Sequence, residues 1–131
     1  MKIGDKAVVT KQFTSEDVRL FAEVSTDKNP LHLDETFASN TQFGKPIVHG
    51  MLVASLFSAI LGTKLPGKGT IYLGQELSFK QPVFIGDTIT ASAEVIDIRT
   101  DKPICTLRTV CHNSKGEMVI DGKAVTKYAV D

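Results

Sequence analysis

Residues 51–61 are Met, Leu, Val, Ala, Phe and Ile, interrupted only by Ser55 and Ser58. A helix apolar on nearly every side is stable only when the rest of the protein surrounds it. The run is too short to span a bilayer, so the remaining chain has to wrap it. The wrapper follows directly. Residues 70–80, 87–99, 103–112 and 118–128 are rich in Val, Ile, Thr and Phe and read as strands. Turn signals separate them at Gln81-Pro82, Thr100-Asp101-Lys102-Pro103 and Asn113-Ser114-Lys115-Gly116. Long strands joined this closely favour an antiparallel meander.

Upstream, residues 7–13 read as a short first strand. Thr14-Ser15-Glu16-Asp17 has the pattern of a helix start, a hydroxyl cap followed three residues later by an acid. Val18, Phe21, Ala22 and Val24 give a partial apolar stripe that ends at Thr26. Asn29 precedes Pro30 and so marks a change of direction. Residues 31–48 read as irregular, and the apolar helix is expected to begin at Gly50 and stop at Gly62. The expectation is one α+β domain over residues 1–131, a long antiparallel sheet around a central apolar helix.

Composition removes several functions. Lys plus Arg and Asp plus Glu both number 15, which leaves no basic footprint for nucleic acid. No basic amphipathic stretch suggests a membrane surface. The first ten residues are charged and alternating, without the apolar core of a secretory signal. Cys105 and Cys111 fall on one strand face but far apart along it, with no third partner for a metal or redox pair. They read as reduced packing residues of a cytoplasmic protein. Pro66-Gly67-Lys68-Gly69 lacks the spacing of a Walker or dinucleotide loop.

The densest polar cluster is Asp27-Lys28-Asn29-Pro30-Leu31-His32-Leu33-Asp34. Five residues apart, Asp27 and His32 would diverge on a regular helix. Across a proline-bent turn they can converge on one small volume, and His titrates near neutrality. Together they form a candidate acid/base pair. Gly50, at the expected helix start, offers a backbone N–H without a helical partner and lets a ligand approach closely. Such a donor suits an oxyanion. Ser55 and Ser58 share one helix face, and a hydroxyl there wants a partner such as a nearby Asp. From spacing alone the bland readings stand beside these: an Asx-type turn over residues 27–34, a plain helix start at His49-Gly50, and serines bonded back to their own helix.

The segments Asp27-x-Asn29-Pro30-x-His32-x-Asp34 and Pro46-Ile47-Val48-His49-Gly50-Met51-Leu52 resemble the two-part hydratase-2 signature of the MaoC-like dehydratase family. The resemblance continues through Leu65-Pro66-Gly67-Lys68-Gly69, Tyr72-Leu73-Gly74-Gln75 and Leu77-Ser78-Phe79-Lys80-x-Pro82-Val83-Phe84-x-Gly86-Asp87. It is closest to the short (R)-specific enoyl-CoA hydratases that feed polyhydroxyalkanoate synthesis. The resemblance implies a hot-dog fold and a homodimer with active sites at the subunit interface. It also implies reversible hydration of short- to medium-chain trans-2-enoyl-CoA to (R)-3-hydroxyacyl-CoA, without metal or cofactor. By position, Asp27 and His32 match the catalytic pair, Gly50 the amide that holds the thioester carbonyl, and Ser58 the serine bonded to the catalytic Asp. Asn29 matches a supporting asparagine. Lys64 and Lys68 read first as a solvated turn and second as contacts for CoA phosphates. Two other readings are a hot-dog thioesterase and a non-catalytic acyl-thioester-binding subunit. The intact Asp-x-Asn-Pro-x-His motif argues against both.

Overall fold

The computed structural model describes residues 1–130. Strand β1 (Lys6–Gln12) alternates half-buried and exposed side chains, as a strand with one covered face must. Helix α1 (Ser15–Ser25) starts in the capping box expected of its sequence. The Thr14 hydroxyl accepts from the Asp17 amide at 3.1 Å, and the Asp17 carboxylate accepts from the Thr14 amide at 2.9 Å. It ends at Thr26, whose φ of 67° turns the chain left-handed.

The stretch expected to be irregular holds two short helices, α2 (Pro30–Leu33) and α3 (Glu35–Ser39). Neither is long enough to show periodicity, and each is started by a single side chain. Asn29 Oδ1 accepts from the Leu31 amide at 3.0 Å, and Asp34 Oδ1 accepts from the Phe37 amide at 3.0 Å. Pro30 occupies the first helical position, where a missing N–H costs nothing.

Helix α4 (Gly50–Thr63) begins where the sequence indicates and runs one residue past Gly62. Strands β2 (Ile71–Phe79), β3 (Thr88–Ile98), β4 (Ile104–His112) and β5 (Met118–Lys127) complete the structure. All pairings are antiparallel, in the order β1-β3-β4-β5-β2. The meander is therefore β3-β4-β5 alone, and β2 crosses to the far edge beside β5. Phe57, Ile60 and Leu61 of α4 are buried in one core with Ile89, Leu107 and Ile120 of the sheet. Burying each such side chain contributes roughly 1.5–3 kcal/mol. Cys105 and Cys111 are both buried in that core and unpaired. Burial pushes both thiols up, Cys111 to about 12, so neither is a ready nucleophile. Among the described residues, no helix is long and apolar enough to cross a membrane.

Candidate active site

The turn after α1 and the first turn of α4 meet over a cavity of about 470 Å³. Asp27 and His32 line it from one side and Gly50 and Met51 from the other, while Phe79, Val83 and Ile120 supply apolar wall. The Asx-type reading of residues 27–34 is realised, and the same turn brings Asp27 and His32 onto one cavity. Asp27 Oδ1 accepts from the Asn29 amide at 3.2 Å, and this local turn orients the carboxylate. Asn29 is occupied in capping α2, so it supports the turn that carries Asp27 and His32.

His32 sits on α2, largely buried. Its Nδ1–H donates to the Ile47 carbonyl at 2.7 Å. That bond fixes the ring and leaves Nε2 as its second nitrogen for chemistry. Burial holds the imidazole below its ordinary value, and the neighbouring His49 pushes the same way. The Ile47 carbonyl and the Asp27 carboxylate act in the opposite direction.

His49 was visible in the sequence as the residue before Gly50, and its placement is the largest addition that the structure makes. It is 2% exposed, and its ring stacks on His32 with centroids 3.9 Å apart and planes at 27°. The edge of Phe21 closes the other side at 4.8 Å. His49 Nε2–H donates to the main-chain carbonyl of Asp27 at 3.0 Å, and its Nδ1 is buried without a partner. One imidazole thus ties the backbone of Asp27 and the ring of His32 to the start of α4. The sequence signals for this were a histidine beside a glycine at a helix start and its place in the second segment of the signature.

The amides of Leu52 and Val53 return to the His49 carbonyl, so those of Gly50 and Met51 precede the first helical bond. No side chain caps them, and both residues line the cavity. Gly50 is required by space. A Cβ there would lie 2.6 Å from Cε1 of Phe79, well inside contact distance.

Asp27, His32 and His49 each offer one ligand atom within 4.8 Å of the others. The bonds to the Ile47 and Asp27 carbonyls leave one nitrogen free on each ring, Nε2 of His32 and Nδ1 of His49. The same grouping suits a water held between a carboxylate and an imidazole.

Ser58 is the expected site residue that one chain does not bring to the others. It lies eight residues beyond Gly50, roughly 12 Å along the helix at 1.5 Å per residue. There it is exposed and lines a separate cavity with Ser55, Met51, Tyr72 and Leu73. Ser55 bonds back to the Leu52 carbonyl at 2.5 Å.

Residues 3–115 match the family described as MaoC like domain. The chain is 55% identical to the (R)-specific enoyl-CoA hydratase of Aeromonas caviae over 97% of its own length and 95% of that protein's. It is 42% identical to a mitochondrial 3-hydroxyacyl-[acyl-carrier-protein] dehydratase of Arabidopsis thaliana, over 95% of this chain and 75% of that one. Among solved structures, an (R)-hydratase of A. caviae involved in PHA biosynthesis superposes with a TM-score of 0.97. It is 54% identical, with 98% of each chain covered. The sheet wrapped on α4 is the hot-dog fold of these relatives, and the chain belongs to the MaoC-like family.

Proposed function

We propose that this protein is a hydro-lyase that adds water to trans-2-enoyl-CoA and yields (R)-3-hydroxyacyl-CoA, reversibly and without metal or redox cofactor. The observation that carries this reading is the arrangement of His32. Nδ1 is locked on the Ile47 carbonyl, the ring is clamped by His49, and the Asp27 carboxylate shares the cavity with the unbonded Gly50 amide. Close relatives named as hydratases and dehydratases support the same class.

The thioester carbonyl rests on the Gly50 amide, which stabilises the enolate-like oxygen as it forms. Asp27, the base, takes a proton from the water, and the oxygen attacks the β-carbon. In the reactive form His32 has taken up a proton at Nε2, a form that burial disfavours, and it gives that proton to the α-carbon. Solvent then returns the Asp27 proton to His32, and the cycle closes with no net change in the protein. The apolar wall of Phe79, Val83 and Ile120 takes a short to medium acyl chain.

The working unit is a homodimer. β2 is an edge strand with Ile71, Tyr72 and Leu73 exposed, next to the exposed Met51 of α4. Such an apolar edge invites a second copy. Ser58 stands on this face, so its bond to Asp27 is made across the dimer, to the partner's carboxylate. Reduced, buried cysteines fit a cytoplasmic enzyme.

The test is loss of enoyl-thioester absorbance with crotonyl-CoA, with chiral analysis of the product. Accumulation of (R)-3-hydroxybutyryl-CoA supports the reading. Release of free thiol, or binding without turnover at any chain length, would overturn it.

A further inference from the structure

The stretch that enters α4 is pinned before the helix begins. The Ile47 amide donates to the Leu31 carbonyl at 3.3 Å, and the Val48 amide donates to the Val83 carbonyl at 2.7 Å. Ile47 also forms an isolated antiparallel bridge with Phe84. From this support two residues reach the groups of the active site. The Ile47 carbonyl accepts from His32 Nδ1–H, while the His49 ring covers one face of His32 and donates to the Asp27 carbonyl.

The main chain of Asp27 depends on that donation. It lies between the left-handed Thr26 and α2, outside any helix or strand. Among the described residues, no main-chain N–H reaches its carbonyl, and the His49 Nε2–H is the partner it has. The other bonds of Asp27 are short-range. Its amide donates to Ser25 Oγ at 3.1 Å, and its Oδ1 accepts from the Asn29 amide. Those two bonds shape the turn without tying it to the body of the protein. As a space-filler His49 is a costly choice. Its Nδ1 is buried without a partner, a penalty that an apolar side chain of similar size would avoid. What the imidazole offers in return is a donor and a flat face.

We propose that His49 is a positioning residue for the hydration, holding Asp27 through a hydrogen bond and His32 through stacking, so that base and acid keep one fixed separation. The inference rests on the acid/base reading of those two residues. It gives His49 no proton to transfer, and a side chain 2% exposed offers a substrate almost no surface. Reacting groups work only when held to within about 0.5 Å of their productive geometry. Loosening the pair therefore costs rate rather than affinity.

The test measures kcat and KM for crotonyl-CoA in wild type, His49→Ala, His49→Gln and His49→Phe, and reads the ring-nitrogen shifts of His32 by NMR without substrate. Gln keeps an N–H donor and loses the flat ring, Phe keeps a flat ring and loses the donor, and Ala loses both. His49→Ala is expected to lower kcat about a hundredfold while KM moves less than about threefold. Gln and Phe should each recover about fivefold to tenfold of that loss, the worth of one hydrogen bond or one ring pair. Where His32 is neutral, its hydrogen should sit on Nδ1 alone in wild type and His49→Phe, and on either nitrogen in His49→Gln and His49→Ala. If His49→Ala does not fold, the other two variants decide, since each must lose kcat at unchanged KM and they must differ in the His32 tautomer. A kcat for His49→Ala within about threefold of wild type, or a loss in KM instead, would overturn the proposal. So would a His32 tautomer that no substitution disturbs. The two readings fail separately. If His49→Ala scrambles the His32 tautomer but wild type hydrates no enoyl-CoA, the positioning stands and the hydratase reading falls.

Discussion

The two sides of helix α4 differ in how much of their surface one chain covers. On the inward side, the Asp27 carbonyl, the Ile47 carbonyl and the His32 Nδ1 have partners, and His49 packs against the rings of His32 and Phe21 with only its Nδ1 unpartnered. Along the outward face, Met51, Ser55 and Ser58 are open to solvent beside the exposed Tyr72 and Leu73 of the sheet edge. The inward side is built by local turns, whose short-range hydrogen bonds bring distant side chains together. The outward side is the face proposed above to meet a second copy. On that proposal the acid/base chemistry belongs to one subunit and the wall around it to the pair.

The sharpest way to break this contrast is a charge on the outward face. Leu73→Glu places a carboxylate where the partner strand is expected. It should weaken dimerisation by about two orders of magnitude or more, because an unpaired charge buried at an interface costs roughly 2–5 kcal/mol. Sedimentation across a concentration series checks this. The monomer should keep its melting profile, since Leu73 is already 52% exposed in one chain. A fully active monomer would refute the division of labour.

Gly50→Ala acts on the other side. The added methyl meets the Phe79 ring, so the amide and the ring must move apart. Displacing an oxyanion donor is expected to lower kcat about tenfold to a hundredfold. Phe79→Ala in the same chain should restore part of the loss. A double variant no better than Gly50→Ala would mean that the glycine serves something other than close approach.

Ser58→Ala should lower the rate about tenfold, the value of one hydrogen bond to a charged group. If the bond runs between subunits, mixing Ser58→Ala with Asp27→Asn subunits should yield heterodimers in which one of the two sites is intact. Recovery of activity on mixing supports the crossed bond, and its absence places Ser58 elsewhere.

The smallest effect concerns acid stability. Burial keeps the folded His32 below its ordinary value, so the unfolded chain takes up the proton first as pH falls. The His32 contribution is complete above about 6.5, the unfolded value, and is lost below it. Denaturation at pH 7.5 and pH 5 should show a steeper acid loss in wild type than in His32→Gln. Identical losses would mean that His32 is not desolvated.

Much of this was legible in the chain. The apolar run 51–61 and the β-rich segments declared themselves because their periodicity is long enough to read. Convergence of Asp27 and His32 could be read from Pro30, while their roles are what the resemblance implies. Other features were hidden for physical reasons. Helices α2 and α3 depend on single capping side chains, Asn29 and Asp34, and span too few residues to carry a pattern. The position of β2 beside β5 is set by which edge is free, not by any local signal. His49 acts through a ring and a carbonyl contributed by segments 17 and 22 residues upstream, which spacing alone does not reveal. Ser58 is a motif position that one chain leaves on a different cavity from Asp27.

The most direct test of the acid/base account is the hydration rate of crotonyl-CoA by wild type, Asp27→Asn and His32→Gln, each shown to be folded and dimeric. Both substitutions keep the shape of the side chain and remove its proton transfer, so each is expected to cost about two orders of magnitude or more. A folded variant of either kind that hydrates within about threefold of wild type would contradict the role of that residue, since general acid–base catalysis is typically worth far more.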